Sequence, residues 1–284
     1  MKPSAILLVS CPDQKGVVAA IAGFIFRHNG NIIHADEHGD LGTGRLQMRV
    51  EFDPADFDIG LADFAKYFSP IAEKFEMQWR LAQSTDRPKM AILVSKYDHC
   101  LADLLYRHKS GELNCEIPLI ISNHPDNRPL AEFYRVPFFV VSVTKENKAE
   151  AEERISNLLT QHAIDFIVLA RYMQILSNQF VNQYPQRIIN IHHSFLPAFI
   201  GAKPYHQAFV RGVKLIGATS HYVTEVLDDG PIIEQDVVRI SHRDSLDDLL
   251  QKGRDLEKVV LSRAVRWHIE NRVLLYGNKT VVFD

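Results

Sequence analysis

Cysteine is scarce: Cys11, Cys100 and Cys115 are the three in 284 residues. None sits at CxxC spacing, so neither a disulfide framework nor a zinc ribbon is expected. Reduced thiols in a cytoplasmic protein are the simplest expectation. Long apolar runs are missing too. A bilayer span needs roughly 18 such residues, whereas the stretch from Phe166 to Ala170 has the length of a buried strand. The first eleven residues have one lysine and a short apolar run, without the features of a secretory signal. No membrane role is expected. Neither charge sign dominates: 32 Lys and Arg face 35 Asp and Glu, a net charge of −3. The basic footprint of a nucleic-acid binder is therefore absent. Internal repeats and low-complexity tracts are also lacking.

What is present is ordinary globular composition, with 46% hydrophobic and 24% charged residues. The length suits a small domain plus a medium one. Residues 4–10 form an apolar strand pattern, broken at Cys11-Pro12-Asp13. Asp13 is positioned to cap a helix whose apolar face is Val17, Val18, Ile21, Ala22, Ile25 and Phe26. Asn29-Gly30-Asn31 stops that helix, with Gly30 as the candidate for positive φ. Strands are expected over residues 32–40 and 46–53, a helix over 58–67 and a strand over 75–81. The order βαββαβ is the split, ferredoxin-like plan. Residues 83–89 are polar and serve as a linker, which makes 1–82 one domain and 90–284 the other.

After the linker, strands and helices alternate. Strands are expected over 90–95, 116–122, 137–143, 165–170, 187–191 and 216–223. Helices are expected from 101, over 145–162 and 174–182, and over 244–268. This alternation implies a doubly wound, mostly parallel α/β sheet. Ligands in such sheets bind at the carboxyl ends of strands. One strand ends Ile188-Ile189-Asn190-Ile191-His192, so Asn190 and His192 share a face. Downstream, His221 precedes a turn-forming Leu227-Asp228-Asp229-Gly230-Pro231 segment. An amide, an imidazole and a carboxylate are suited to acyl transfer.

Ser10-Cys11-Pro12-Asp13-Gln14-Lys15-Gly16-Val17 and Asn29-Gly30-Asn31-Ile32 resemble an ACT domain. That resemblance implies an amino-acid effector at Asp13, Gly16, Asn29 and Asn31, glycine or methionine being candidates, and a homo-oligomer. Three later motifs, Asn190-x-His192-His193-Ser194-x-Leu196-Pro197, His221-x(6)-Asp228-x-Gly230-Pro231 and Leu169-Ala170-Arg171-Tyr172-Met173-Gln174-Ile175-Leu176, resemble the formyltransferases that use 10-formyltetrahydrofolate. The resemblance implies Asn190, His192 and Asp228 as catalytic residues. It implies a folate pocket at Arg171, Met173, Ile175, Leu176, Val223 and Leu227, with His193, His206 and His221 as supporting groups. Glycinamide ribonucleotide transformylases carry a glycine-rich phosphate loop after the first strand of this domain. Here the loop is Ser95-Lys96-Tyr97-Asp98-His99-Cys100, with no glycine and one acid. An ACT domain joined to such a domain, together with the Phe199–His206 segment, resembles the formyltetrahydrofolate deformylases, whose acceptor is water.

Hydrolysis of 10-formyltetrahydrofolate to formate and tetrahydrofolate is the implied reaction, with folate as substrate and no cofactor. Its formate would supply purine biosynthesis and balance one-carbon folate pools. Transfer to an amine acceptor stays as the alternative, since Lys96 offers an anion contact. A zinc hydrolase built on His192, His193, His206, His221 and Asp228 is a rival, weakened by the lack of an HExxH-type ligand set. A folate-binding sensor without catalysis is the other rival.

Overall fold

The computed structural model describes residues 2–198 and 204–284. The chain divides into two compact units: residues up to Asp86 with Glu270–Asp284, and Arg87–Ile269. The first unit begins with β1 (Ala5–Pro12), α1 (Val17–Arg27), β2 (Asn31–Asp40), β3 (Arg45–Asp53), α2 (Phe64–Lys74) and β4 (Gln78–Gln83). The strands pair antiparallel in the order β2-β3-β1-β4. This is the expected βαββαβ arrangement. Alternation decides which face is covered. Leu7 and Val9 of β1 and Met48, Val50 and Phe52 of β3 pack beneath Ile21, Phe24, Phe64 and Phe68 of the two helices.

Three local expectations change here. Asp13 does not cap α1; Gly16 holds the N-cap at φ 95° with no side-chain cap bond. Asn29, not Gly30, takes positive φ (59°). Gly30 is required by contact instead, since a Cβ there would stand 2.7 Å from the Ile25 side chain and 2.9 Å from Phe57. The second helix starts at Phe64 rather than at residue 58, because its buried positions are Phe64, Phe68 and Ala72.

The second unit runs β5 (Lys89–Val94), α3 (His99–Ser110), β6 (Glu116–Ser122), α4 (Arg128–Phe133), β7 (Phe138–Val140), α5 (Lys148–Gln161), β8 (Phe166–Ala170), α6 (Asn178–Val181), β9 (Ile188–His192), α7 (Pro204–Arg211), β10 (Leu215–Tyr222), β11 (Ile232–Arg239) and α8 (Leu246–Ile269). The sheet order is β11-β10-β9-β8-β5-β6-β7. Strands β5 to β9 pair parallel, whereas β10 runs antiparallel to β9 and β11. The doubly wound, mostly parallel expectation holds. All five residues of β8 are buried, as in a strand covered on both faces. The winding reverses between β5 and β8, and a crevice opens at their carboxyl ends.

The helix expected over 174–182 shrinks to α6. Ser177 caps that helix, accepting the Phe180 N–H at 3.2 Å, and the chain ahead of it is held by tertiary partners, with Ser95 Oγ accepting the Met173 N–H at 2.9 Å and Glu152 the Ser177 N–H at 2.8 Å. The second domain was expected to continue to residue 284. Instead the chain returns at Glu270 to the first unit as the hairpin β12 (Val273–Tyr276) and β13 (Lys279–Val282). Leu274, Val281 and Phe283 pack with Ile6 and Leu8 of β1, whose side chains point away from α1 and α2. Among the described residues no helix is long and apolar enough to cross a membrane.

Candidate active site

The ends of β5 and β8 are tied together. The Ser95 N–H donates to the Arg171 carbonyl at 3.3 Å, and Ser95 Oγ donates to Asn123 at 2.7 Å. A cavity of about 620 Å³ lies at these strand ends, the size of a small-molecule site. Asn190, His192, His221 and Asp228 all line it.

Strand pairing places the polar groups. His221 of β10 stands opposite Asn190 of β9, and Asn190 Nδ2 lies 3.2 Å from His221 Nε2. His221 Nδ1 lies 2.9 Å from the Tyr222 carbonyl, an acceptor. Nδ1 therefore carries the proton, and Nε2 accepts from the Asn190 amide. Burial keeps His221 neutral by pushing its pKa down. The orientation of the Asn190 amide follows from this chain of bonds.

Asp228 closes the group. Its Oδ1 lies 3.3 Å from His192 Nδ1 and 3.9 Å from His221 Nε2. Burial raises the carboxyl pKa, but the His192 hydrogen bond and nearby imidazoles outweigh it, and the net pKa is lowered. His192 is 5% exposed, and its Nε2 has no hydrogen-bond partner among the described residues. Asp228 adopts φ 55°, unusual for a residue with a side chain. Gly230 permits that turn: a Cβ there would lie 1.7 Å from the Tyr222 oxygen.

Of the predicted folate residues, Arg171 lines the cavity and the other five form two groups. Leu176 and Val223 pack on the core beside Leu169 and Tyr172. Met173, Ile175 and Leu227 line the same cavity while 52–61% exposed. Large apolar side chains left open at a cavity mouth suit a flat aromatic ligand. His193 and His206 also line the cavity. Burial, with Arg171 nearby, holds the His193 pKa down at about 3. Residues 199–203 of the Phe199–His206 resemblance lie outside the described residues.

A second cluster on the cavity wall escaped the sequence reading. Glu257 of α8 is 1% exposed. It accepts from the Tyr205 hydroxyl at 2.9 Å and lies 2.7 Å from His99 Nε2 and 3.5 Å from Arg171 Nε. Burial raises the Glu257 pKa, but His99 and Arg171 outweigh it, and the net pKa is lowered. A signal was there. Leu249, Gly253, Glu257 and Leu261 repeat every fourth residue, which puts an acid on the buried stripe of the helix. Gly253 makes room for the Tyr205 ring, 2.3 Å from where a Cβ would stand. His99, Cys100 and Glu257 also have metal-ligand chemistry at close range. However, burial keeps the Cys100 thiol protonated, and a guanidinium already neighbours the carboxylate.

In the first unit the expected effector residues split into two pairs. Asp13 and Gly16 precede α1, whereas Asn29 and Asn31 follow it. The helix has 11 residues, about 16 Å in length. Asn29 donates to the Asp56 carbonyl at 3.0 Å, and Asp13 and Asn31 are exposed.

Residues 88–265 match the formyl transferase family and residues 5–67 the ACT domain. A Synechocystis formyltetrahydrofolate deformylase is 56% identical over 99% of this chain and 98% of its own length. The chain belongs to the formyltetrahydrofolate deformylase family. A Bacillus subtilis member is 50% identical, covering 98% of this chain and 93% of its own. The crystal structure of a deformylase from Pseudomonas syringae superposes with a TM-score of 0.98 at 50% identity, over 100% of this chain and 95% of the other. A glycinamide ribonucleotide transformylase from Symbiobacterium toebii reaches a TM-score of 0.66 at 27% identity, over 70% of this chain and 95% of the other. The deformylase likeness thus extends over the whole chain, whereas the transformylase likeness does not.

Proposed function

We infer that the chain hydrolyses 10-formyltetrahydrofolate to tetrahydrofolate and formate. One observation carries this reading: Asn190, His192 and Asp228, from two strand ends and a loop, converge on one cavity. Folate is the substrate, water the acceptor, and the scheme uses no cofactor. The pterin lies against Met173, Ile175, Leu176, Val223 and Leu227.

Water attacks the formyl carbon, and negative charge develops on the formyl oxygen. The Asn190 amide has one N–H committed to His221 and one left for that oxygen. His192, protonated, supplies the second donor through Nε2, while Asp228 holds its Nδ1. One such donor is commonly worth about 3 kcal/mol of barrier. Asp228 also orients the water and accepts its proton. The C–N10 bond then breaks, N10 takes the proton held by Asp228, and the formic acid loses its own proton to solvent and leaves as formate. His221 acts through Asn190, fixing the direction of its amide.

The loop from Ser95 to Cys100 supports water over a phosphorylated amine. It has no glycine, and Tyr97 and His99 project onto the cavity wall. Product identification tests the reading. Formate must appear from formylated folate, with no formylated amine when glycinamide ribonucleotide is added. Formylated amine as the main product would refute it.

The released formate serves purine biosynthesis and the folate balance. The three buried, free cysteines support a cytoplasmic location. A hydrolase that consumes one-carbon units gains from restraint, and the ACT unit supplies a place for it. Glycine or methionine binds there, between ACT units of a homo-oligomer, at Asp13, Gly16, Asn29 and Asn31. Titrating both amino acids while following rate and sedimentation tests this. A null response in both quantities would count against it.

A further inference from the structure

Arg171 takes no part in the steps above, yet its setting is costly to maintain. It adopts φ 62°, in the region that side chains disfavour. It is 9% exposed on the cavity wall, and its Nε and Nη1 have no hydrogen-bond partner among the described residues. Its guanidinium lies over the Tyr97 ring, 5.2 Å from the centroid. The nearest acid is Glu257, with Oε2 3.5 Å from Nε. That carboxylate is already engaged with His99 and Tyr205, at 2.7 and 2.9 Å. A buried, charged guanidinium on the wall of a cavity is thus left with two unpaired donors. A guanidinium with unpaired donors matches a small anion, and a carboxylate is the acceptor it binds most strongly.

We propose that Arg171, backed by Tyr97, forms a small-carboxylate site that takes the formate released at Asn190, His192 and Asp228. The proposal rests on the hydrolytic reading for the identity of its anion. The charge balance explains the need. Formate leaves as an anion beside the Asp228 carboxylate, which repels it. Arg171 lies on the wall of the same cavity and offers the opposite charge. His193, whose ring is tilted against that of His192 at 5.5 Å between centroids, is discharged by burial and by this guanidinium, so it does not compete for the anion. A carboxylate also ends the glutamyl tail of folate. At 9% exposure the Arg171 pocket suits a ligand that detaches inside the cavity better than a tail that must reach solvent.

The test uses the full chain and added sodium [13C]formate, followed by NMR line broadening and by inhibition of turnover. Wild type should broaden the formate line. Arg171→Gln should weaken both binding and inhibition roughly tenfold or more, the usual value of a charged hydrogen bond. Arg171→Lys, which keeps charge but loses the fork, should fall between. Equal formate binding in wild type and both variants would overturn the proposal. So would a rise in KM with Arg171→Gln for the glutamyl substrate but not for a formylated tetrahydropteroate, which would move the ligand to the folate tail. Thermal melting verifies that each variant is folded. If Arg171→Gln does not fold, undiminished formate binding by Arg171→Lys is the overturning result. Failure to find formate among the products would refute the hydrolytic reading instead, and the titration with added formate stands apart from it.

Discussion

Adding one methyl group at Gly230 should disable the site without touching any reacting group. The Cβ of Gly230→Ala would stand 1.7 Å from the Tyr222 oxygen and 2.9 Å from its carbonyl carbon, where 3.0 Å is the practical limit. Both obstacles are backbone, so neither can rotate away. The turn carrying Asp228 and the β10 end must separate by more than about 1 Å. Two contacts suffer directly. The Tyr222 oxygen holds His221 Nδ1 at 2.9 Å, and Asp228 lies 3.3 Å from His192. A misplacement of about 1 Å commonly lowers turnover a hundredfold. Overpacking of this kind destabilises by roughly 1–3 kcal/mol, a fall in Tm of about 2–10 °C. Formate release measured at saturating folate, with melting on the same sample, gives both quantities. Wild-type turnover from Gly230→Ala would show that the turn need not hold Asp228 where it is, and the positional argument would fail.

Asp228→Asn keeps the shape of the side chain but removes its charge. It should lower turnover by a hundredfold or more, about 3 kcal/mol, with little change in melting; near-normal turnover removes Asp228 from the mechanism. His193 has a folded pKa of about 3, below the ordinary imidazole value of about 6.5. The unfolded chain therefore binds a proton first, so stability is whole above about pH 6.5 and falls toward pH 3, by up to about 1.4 kcal/mol per unit. Urea titrations should show a shallower slope for His193→Gln between pH 7 and 5, and parallel curves would refute it. Glu257→Gln leaves the buried Arg171 charge without its acid and should destabilise by about 3 kcal/mol. The double change Glu257→Leu with Arg171→Met should recover part of that loss. A double variant no more stable than the single one would mean that the pair is not energetically coupled.

Periodicity carried the reading of the fold wherever burial alone dictates residue choice. The all-apolar β8 and the alternating β3 were visible as strands, since pleat and burial act on each residue locally. Elements that depend on distant partners were not visible. The helix expected over 174–182 starts only at Asn178, because Ser177 caps it there and is itself held by Glu152, 25 residues away. The hairpin from Val273 to Val282 was missed because its apolar residues answer to Ile6 and Leu8 at the other end of the chain.

Residue order alone reveals which groups are available: an amide and an imidazole two apart on a strand, a carboxylate on a Gly-Pro turn, and two sets of alternating elements. Spacing along a strand or turn is a local property, so it survives without coordinates. Only the tertiary structure decided that His221 directs the Asn190 amide and that Glu257 stands beside Arg171. Those partners are 31 and 86 residues apart, and no local rule links them. Strand pairing and helix packing bring them within a few ångströms, and hydrogen-bond energy depends on distance and angle in space rather than on separation along the chain.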